Sequence, residues 1–150
     1  MMFMLRLSLM LVVFVDIMGQ GLILPIINTQ LIDPSSSFLH AGATHGAREM
    51  LYGLLTGVFY IFWFFGAAYI SKLSDYVGRK RGILICLLGA MAGYVLTVIA
   101  IEVSNYYLLL FARAISGFTA GNQPIAQAAL IDISRTDEER TRNMGKVVAA

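Results

Sequence analysis

Residues 51–71 read LYGLLTGVFYIFWFFGAAYIS, 21 positions without one charged side chain. A helix needs about 20 apolar residues to cross a hydrocarbon core roughly 30 Å thick. This stretch is therefore a membrane span, and the chain can be read outward from it. Residues 82–101, GILICLLGAMAGYVLTVIAI, form a second uncharged run of 20. Two further apolar stretches carry one charge each: residues 7–32 hold Asp16, and residues 103–131, with the span itself over 106–131, hold Arg113. A fifth apolar stretch begins near Val147, so residues 144–150 read as the start of another helix. Lipid leaves only helices and closed barrels as spanning structures. The period-2 alternation of a barrel strand is missing, so the spans are helices. The predicted fold class is an all-α polytopic membrane protein, with four transmembrane helices plus the start of a fifth, in one partial transmembrane domain over residues 1–150.

Composition agrees with this reading. Of the 150 residues, 58% are hydrophobic and only 13% are charged, where soluble domains carry roughly 25% charged residues. That deficit argues against a soluble globule, a disordered chain and a nucleic-acid binder, and a net charge of +2 is too small for a phosphate-tracking surface. The single cysteine, Cys86, excludes an internal disulfide framework and a Cys-rich metal site. It falls within a span and reads as packing.

Basic residues orient the spans. Arg6 precedes the first; Lys72, Arg79, Lys80 and Arg81 lie between the second and third; Arg135, Arg140, Arg142 and Lys146 follow the fourth. Arg48 is the lone basic residue between the first and second spans. Nine positive charges thus fall on one side and one on the other, which predicts a cytoplasmic N-terminus. The first stretch is expected to stay as a span rather than be cleaved as a signal peptide: Asp16 interrupts it, no small-x-small site follows, and apolar character resumes to Ile27. Residues 33–49 form the first outer loop, opened by the helix stop DPSSS, and residues 102–105 form a tight outer turn. His40 and His45 in the longer loop read as solvated residues, and no metal spacing is present. Nor is there a phosphate loop or a nucleophile constellation, so no enzyme chemistry and no cofactor is expected.

Glycines are spaced for helix packing. Gly53/Gly57, Gly89/Gly93 and Gly117/Gly121 make one G-x-x-x-G pair in each of spans 2, 3 and 4. Side chains removed at i and i+4 let backbones approach where lipid supplies no hydrophobic drive for association.

Charge inside the membrane points to function. Asp16 or Arg113 costs roughly 2.5–3.5 kcal/mol at mid-membrane on insertion scales. A structural ion pair is the bland reading; handling of substrate or protons is the default for such residues. At about 1.5 Å per residue, Asp16 lies about 14 Å from the inner face and Arg113 roughly 20 Å. The difference is within reach of an arginine stem. On a continuous helix Arg113, Ser116, Gly117, Ala120, Gly121, Gln123, Pro124, Gln127 and Ala128 share an arc of about 160°. That polar and small stripe suits a wet cavity, although Asn122 lies opposite it. In the first span Asp16 and Gln20 share a face near Gly19 and Gly21, and Pro25 removes one helical hydrogen bond. The substrate and proton pathway is therefore expected at Asp16, Gln20, Arg113, Gln123 and Gln127.

Four stretches resemble one family. SKLSDYVGRKR, residues 71–81, resembles motif A of the major facilitator superfamily, G-x-x-x-D-(R/K)-x-G-(R/K)-(R/K). Asp75, Gly78, Arg79 and Lys80 match; Ser71 stands where the motif opens with glycine and Tyr76 where it has a basic residue. RAISGFTAGNQPIAQAALID, residues 113–132, is similar to the fourth-helix motif of proton-coupled efflux members. DIMGQGLILP, residues 16–25, resembles the first-helix pattern of the drug and tetracycline antiporter branch, and SRTDEERTRNMG, residues 134–145, resembles the loop leading into the fifth helix.

The resemblance implies a secondary transporter of small molecules, with efflux coupled to a proton gradient, in the bacterial cytoplasmic membrane. It implies that Asp75, Arg79 and Asp132 form an inner-face network that holds the outward-open state, with Gly78 and Lys80 in the same motif. Family members have two six-helix halves with the pore between them. The expected partners are thus the lipid bilayer, a small-molecule substrate and a C-terminal half, and the chain reads as an N-terminal portion. Two alternatives stand beside this: a four-helix oligomeric exporter using Asp16 as its mid-membrane acid, and a non-transporting remnant or assembly module.

Overall fold

The computed structural model describes residues 2–33, 36, 38–39, 43–132, 141 and 145. Helices α1 (Met2–Ile32), α2 (His45–Val77), α3 (Arg79–Glu102), α4 (Tyr106–Thr119) and α5 (Asn122–Asp132) follow one another, and no strand occurs among the described residues. Residues 144 and 146–150 of the expected fifth span, His40 and the basic residues Arg135, Arg140, Arg142 and Lys146 lie outside them. Helices α1, α2 and α3 are each long and apolar enough to cross a membrane.

These three helices overrun their apolar runs. They hold 31, 33 and 24 residues, or about 46, 50 and 36 Å at the helical rise, against a core of roughly 30 Å. Only the part within lipid must be apolar; the backbone ladder continues for as long as nothing breaks it. The first outer loop is consequently shorter than the charge pattern suggests, because α2 already starts at His45, where Thr44 accepts a hydrogen bond from the Ala47 N–H at 3.4 Å. The stretch between the second and third apolar runs is helical except at one residue, Gly78. Gly78 has φ +96°, a conformation that costs other residues dearly. It closes α2 through its N–H to the Ser74 carbonyl (3.0 Å) and opens α3 by accepting from the Gly82 N–H (3.1 Å). The turn between α3 and α4 falls where expected, with Asn105 capping the Leu108 N–H at 3.1 Å.

The fourth span differs most. The stretch read as one helix over 106–131 is two, broken at Ala120 and Gly121. Pro124 explains the break: it has no N–H for the carbonyl four residues back, that of Ala120, and its ring clashes there in a continuous helix. In α5 it occupies the first turn, where a missing donor costs least. Pro25 has a milder effect, since α1 runs through it uninterrupted.

Two of the three expected glycine pairs pack. A Cβ on Gly89 or Gly93 would collide with Thr119 or Ser116 of α4, and one on Gly117 would collide with the Phe59 backbone of α2; Gly121 is buried, and a Cβ there would only touch the α2 backbone at Gly66 and Ala67, 3.6 Å away. The third pair corrects the sequence reading: a Cβ on Gly53 or Gly57 meets nothing within 4 Å, so neither packs against another described helix. On α2 the close approach is made instead by Gly66, whose Cβ would strike the Phe118 carbonyl. Gly66 on Phe118 and Gly117 on Phe59 make a reciprocal seam between α2 and α4.

The apolar core gathers at the two ends of the bundle. Ile27, Leu31, Phe38, Leu55, Ala100 and Leu109 fill one end, and Leu9, Val13, Ala126 and Ala129, with Ile70, Cys86 and Ile125, fill the other. Large side chains such as Phe64, Tyr69 and Met91 cover the outside, as a lipid-facing surface requires. The lone basic residue of the first outer loop is not solvated. Arg48 is buried and donates to the carbonyls of Leu31 and Asp33 (3.1 Å each) and Ala43 (3.4 Å). It thereby satisfies acceptors that the C-terminus of α1 leaves free.

Candidate functional site

Between the two apolar ends lies a cavity of about 260 Å³. Asp16, Ile17, Gln20 and Leu24 of α1 line it, facing Phe59, Tyr60 and Trp63 of α2 and Arg113 and Ala120 of the fourth span. The helical repeat of α1 brings Asp16, Gln20 and Leu24 to one face at i, i+4, i+8. Asp16 and Gln20 are half-buried.

Arg113 dominates the cavity's electrostatics. It is 1% exposed, the largest fully buried side chain described. Its guanidinium carbon lies 4.5 Å from the centroid of the Phe59 ring, a cation–π contact that recovers part of the cost of desolvation. Its Nε and Nη1 have no hydrogen-bond partner among the described residues, and neither do the buried hydroxyls of Ser116 and Tyr94. Unpaired donors deep in an apolar bundle are costly, and they mark a place where a polar occupant gains most.

Of the expected pathway residues, the structure gathers Asp16, Gln20 and Arg113 around this one space. Gln127 is half-buried on α5 and does not line it; the Gln123 side chain lies outside the described residues. The 160° arc assumed an unbroken helix, so its register does not carry past Ala120. Sequence reasoning passed over the aromatic wall. Phe59 and Trp63 stand four apart, with Tyr60 beside them, in the run FYIFWFF over residues 59–65; that i, i+4 spacing was the available signal.

A second polar group lies at the Gly78 end of the bundle. Arg79, the first residue of α3, pairs through Nη1 with Asp75 Oδ1 at 2.5 Å and through Nε with Asp132 Oδ2 at 3.1 Å. Its Nη1 also donates to Ser74 Oγ at 3.1 Å. One guanidinium thus joins the end of α2, the start of α3 and the end of α5. Lys80 is exposed and, with Arg79 and Asp132, rims an apolar groove of about 510 Å³ between α1, α3 and α5. No group of side chains suited to hold a metal ion occurs among the described residues.

Comparison with known proteins places this geometry in a family. The family model of the Major Facilitator Superfamily matches residues 9–150. The chain is 28% identical to the tetracycline resistance protein, class E, of Escherichia coli, over 92% of this chain and 31% of that protein. It is 30% identical to the class H protein of Pasteurella multocida, over 91% and 31%, and 32% identical to the class G protein of Vibrio anguillarum, over 91% and 32%. The chain spans about a third of the length of these relatives. No solved structure matches it significantly.

Proposed function

This chain belongs to the Major Facilitator Superfamily, and from that premise we propose that it forms part of a secondary transporter that exports small molecules in exchange for protons. One observation carries the reading: a membrane-embedded cavity shared by Asp16 and a buried Arg113 whose Nε and Nη1 lack partners. Intramembrane ionisable groups that face a cavity mark substrate and proton paths. The names of the tetracycline resistance relatives support efflux of that kind of cargo.

Asp16 takes and releases the coupling proton. Arg113 senses the charge on Asp16 and on the substrate, and Gln20 offers a neutral polar contact. Gln123 and Gln127 extend the polar path along α5, and no cofactor is needed beyond the proton gradient. The aromatic wall of Phe59, Tyr60 and Trp63 receives the apolar face of the cargo. The Asp75–Arg79–Asp132 cluster, set on the Gly78 hinge and flanked by Lys80, is the cytoplasmic gate of the outward-open state. The N-terminus is cytoplasmic, the membrane is the bacterial inner membrane, and a C-terminal half supplies the opposite wall of the pore. The test is efflux of tetracycline and lipophilic dyes from energised vesicles that contain the gene product. Efflux abolished by collapsing the pH gradient supports the reading; efflux indifferent to the gradient refutes it.

A further inference from the structure

The break in the fourth span has a specific closing contact. Because Pro124 lacks an N–H, the Ala120 carbonyl has no donor from its own helix. The indole N–H of Trp63 supplies one from α2, at 2.9 Å. Trp63 also lines the cavity beside Asp16 and Arg113. Beyond the break, α5 runs 11 residues to Asp132, which pairs with Arg79. One tryptophan therefore touches the cavity with its ring and holds, with its N–H, the pivot of the helix that ends in the charge cluster.

We propose that Trp63 is a positioning residue that couples the cavity to the Arg79–Asp132 ion pair, by setting the angle of α5 through its hydrogen bond to Ala120. Geometry gives the lever. An 11-residue helix is about 16 Å long, so a pivot of about 10° at its start moves its far end by about 3 Å. That displacement is enough to separate a pair held at 3.1 Å. An occupant that stacks on or displaces the indole alters the pivot, and by linkage a change at Asp132 alters the indole. The coupling does not require any particular cargo.

The pivot angle is read by spin labels on the exposed positions Tyr107 and Ile131 (Tyr107→Cys, Ile131→Cys), one on each side of the break; Cys86 is fully buried and does not compete for label. In nanodiscs Trp63→Phe, which keeps an aromatic ring and removes the N–H, shifts or broadens the distance distribution by about 3 Å, the lever's reach. In the Pro124→Ala background the effect of Trp63→Phe disappears: residue 124 then donates to Ala120, the break closes, and the distribution is that of a continuous helix with or without the indole N–H. An unchanged distribution in Trp63→Phe, or a Trp63→Phe shift that persists in the Pro124→Ala background, overturns the proposal. Should Trp63→Phe not reach the membrane, Pro124→Ala alone decides. Its new N–H competes for the Ala120 carbonyl, so the indole hydrogen-bond signature in resonance Raman spectra weakens, and an unaltered band overturns the proposal. Reciprocity is checked by Asp132→Asn. Emission from Trp63, the chain's one tryptophan, changes if the two ends are coupled; an identical spectrum refutes the coupling.

Discussion

Arg113 projects from α4 across the α2 seam so that its guanidinium carbon sits 4.5 Å from the centroid of the Phe59 ring, and the backbone of the same Phe59 is what Gly117 packs against. The contact ties charge placement to helix packing. The small residue at 117 lets the helices approach, and only that approach brings the ring over the cation four positions earlier.

Phe59→Leu removes the ring's quadrupole while keeping most of its apolar bulk. A partly desolvated cation–π contact is worth about 0.5–2 kcal/mol, so thermal stability in detergent should fall by about that amount. Arg113→Lys should cost more transport than Phe59→Leu, since an ammonium lacks the planar fork that presents Nε and Nη1 to the cavity. Equal efflux by wild type and Arg113→Lys would count against the role given to those two nitrogens.

Asp16→Asn removes the charge and keeps the shape. Proton-driven efflux at matched membrane abundance should fall to background, while pH-independent exchange of substrate persists. Retained gradient-driven efflux would move the proton site elsewhere.

At the charge cluster, Asp75 and Asp132 are each more than half exposed, and such ion pairs contribute about 0.2–1 kcal/mol apiece. Asp75→Asn should therefore shift the conformational populations by at most about fivefold, the factor for 1 kcal/mol, towards the state that opens this end. Spectroscopic distances between the exposed ends of α2 and α5 would measure it. A change of hundredfold or more would mean that the cluster does more than these pairs account for.

Glycine substitutions separate packing from chance. Gly66→Ala and Gly117→Ala each drive a Cβ into backbone atoms of the neighbouring helix, and overpacking of this kind costs about 1–3 kcal/mol. Gly53→Ala meets open space and should be neutral or slightly stabilising, because alanine is the better helix former. Comparative unfolding temperatures of the three variants are the check.

Charge spacing and apolar run length sufficed for the helical membrane class, since the cost of placing backbone or charge in lipid is paid residue by residue and needs no knowledge of neighbours. Motif spacing was equally local: Asp75, Gly78 and Arg79 carry their chemistry within one turn. Proline at 124 also stands in plain view in the sequence; that the Ala120 carbonyl it leaves without an i+4 donor is met by the Trp63 indole of α2 is visible only in the tertiary structure. Which glycines pack could not be read from i, i+4 spacing, because Gly53/Gly57 and Gly117/Gly121 look alike until a neighbouring backbone is present to approach only one of them. The cavity had the same dependence. Asp16 and Arg113 announced themselves by the cost of their charge, a property of each residue alone, whereas Phe59, Tyr60 and Trp63 became its wall only through the crossing of α1, α2 and α4. Energies that attach to single residues were legible in the sequence; energies that arise between elements distant along the chain were decided by the tertiary structure.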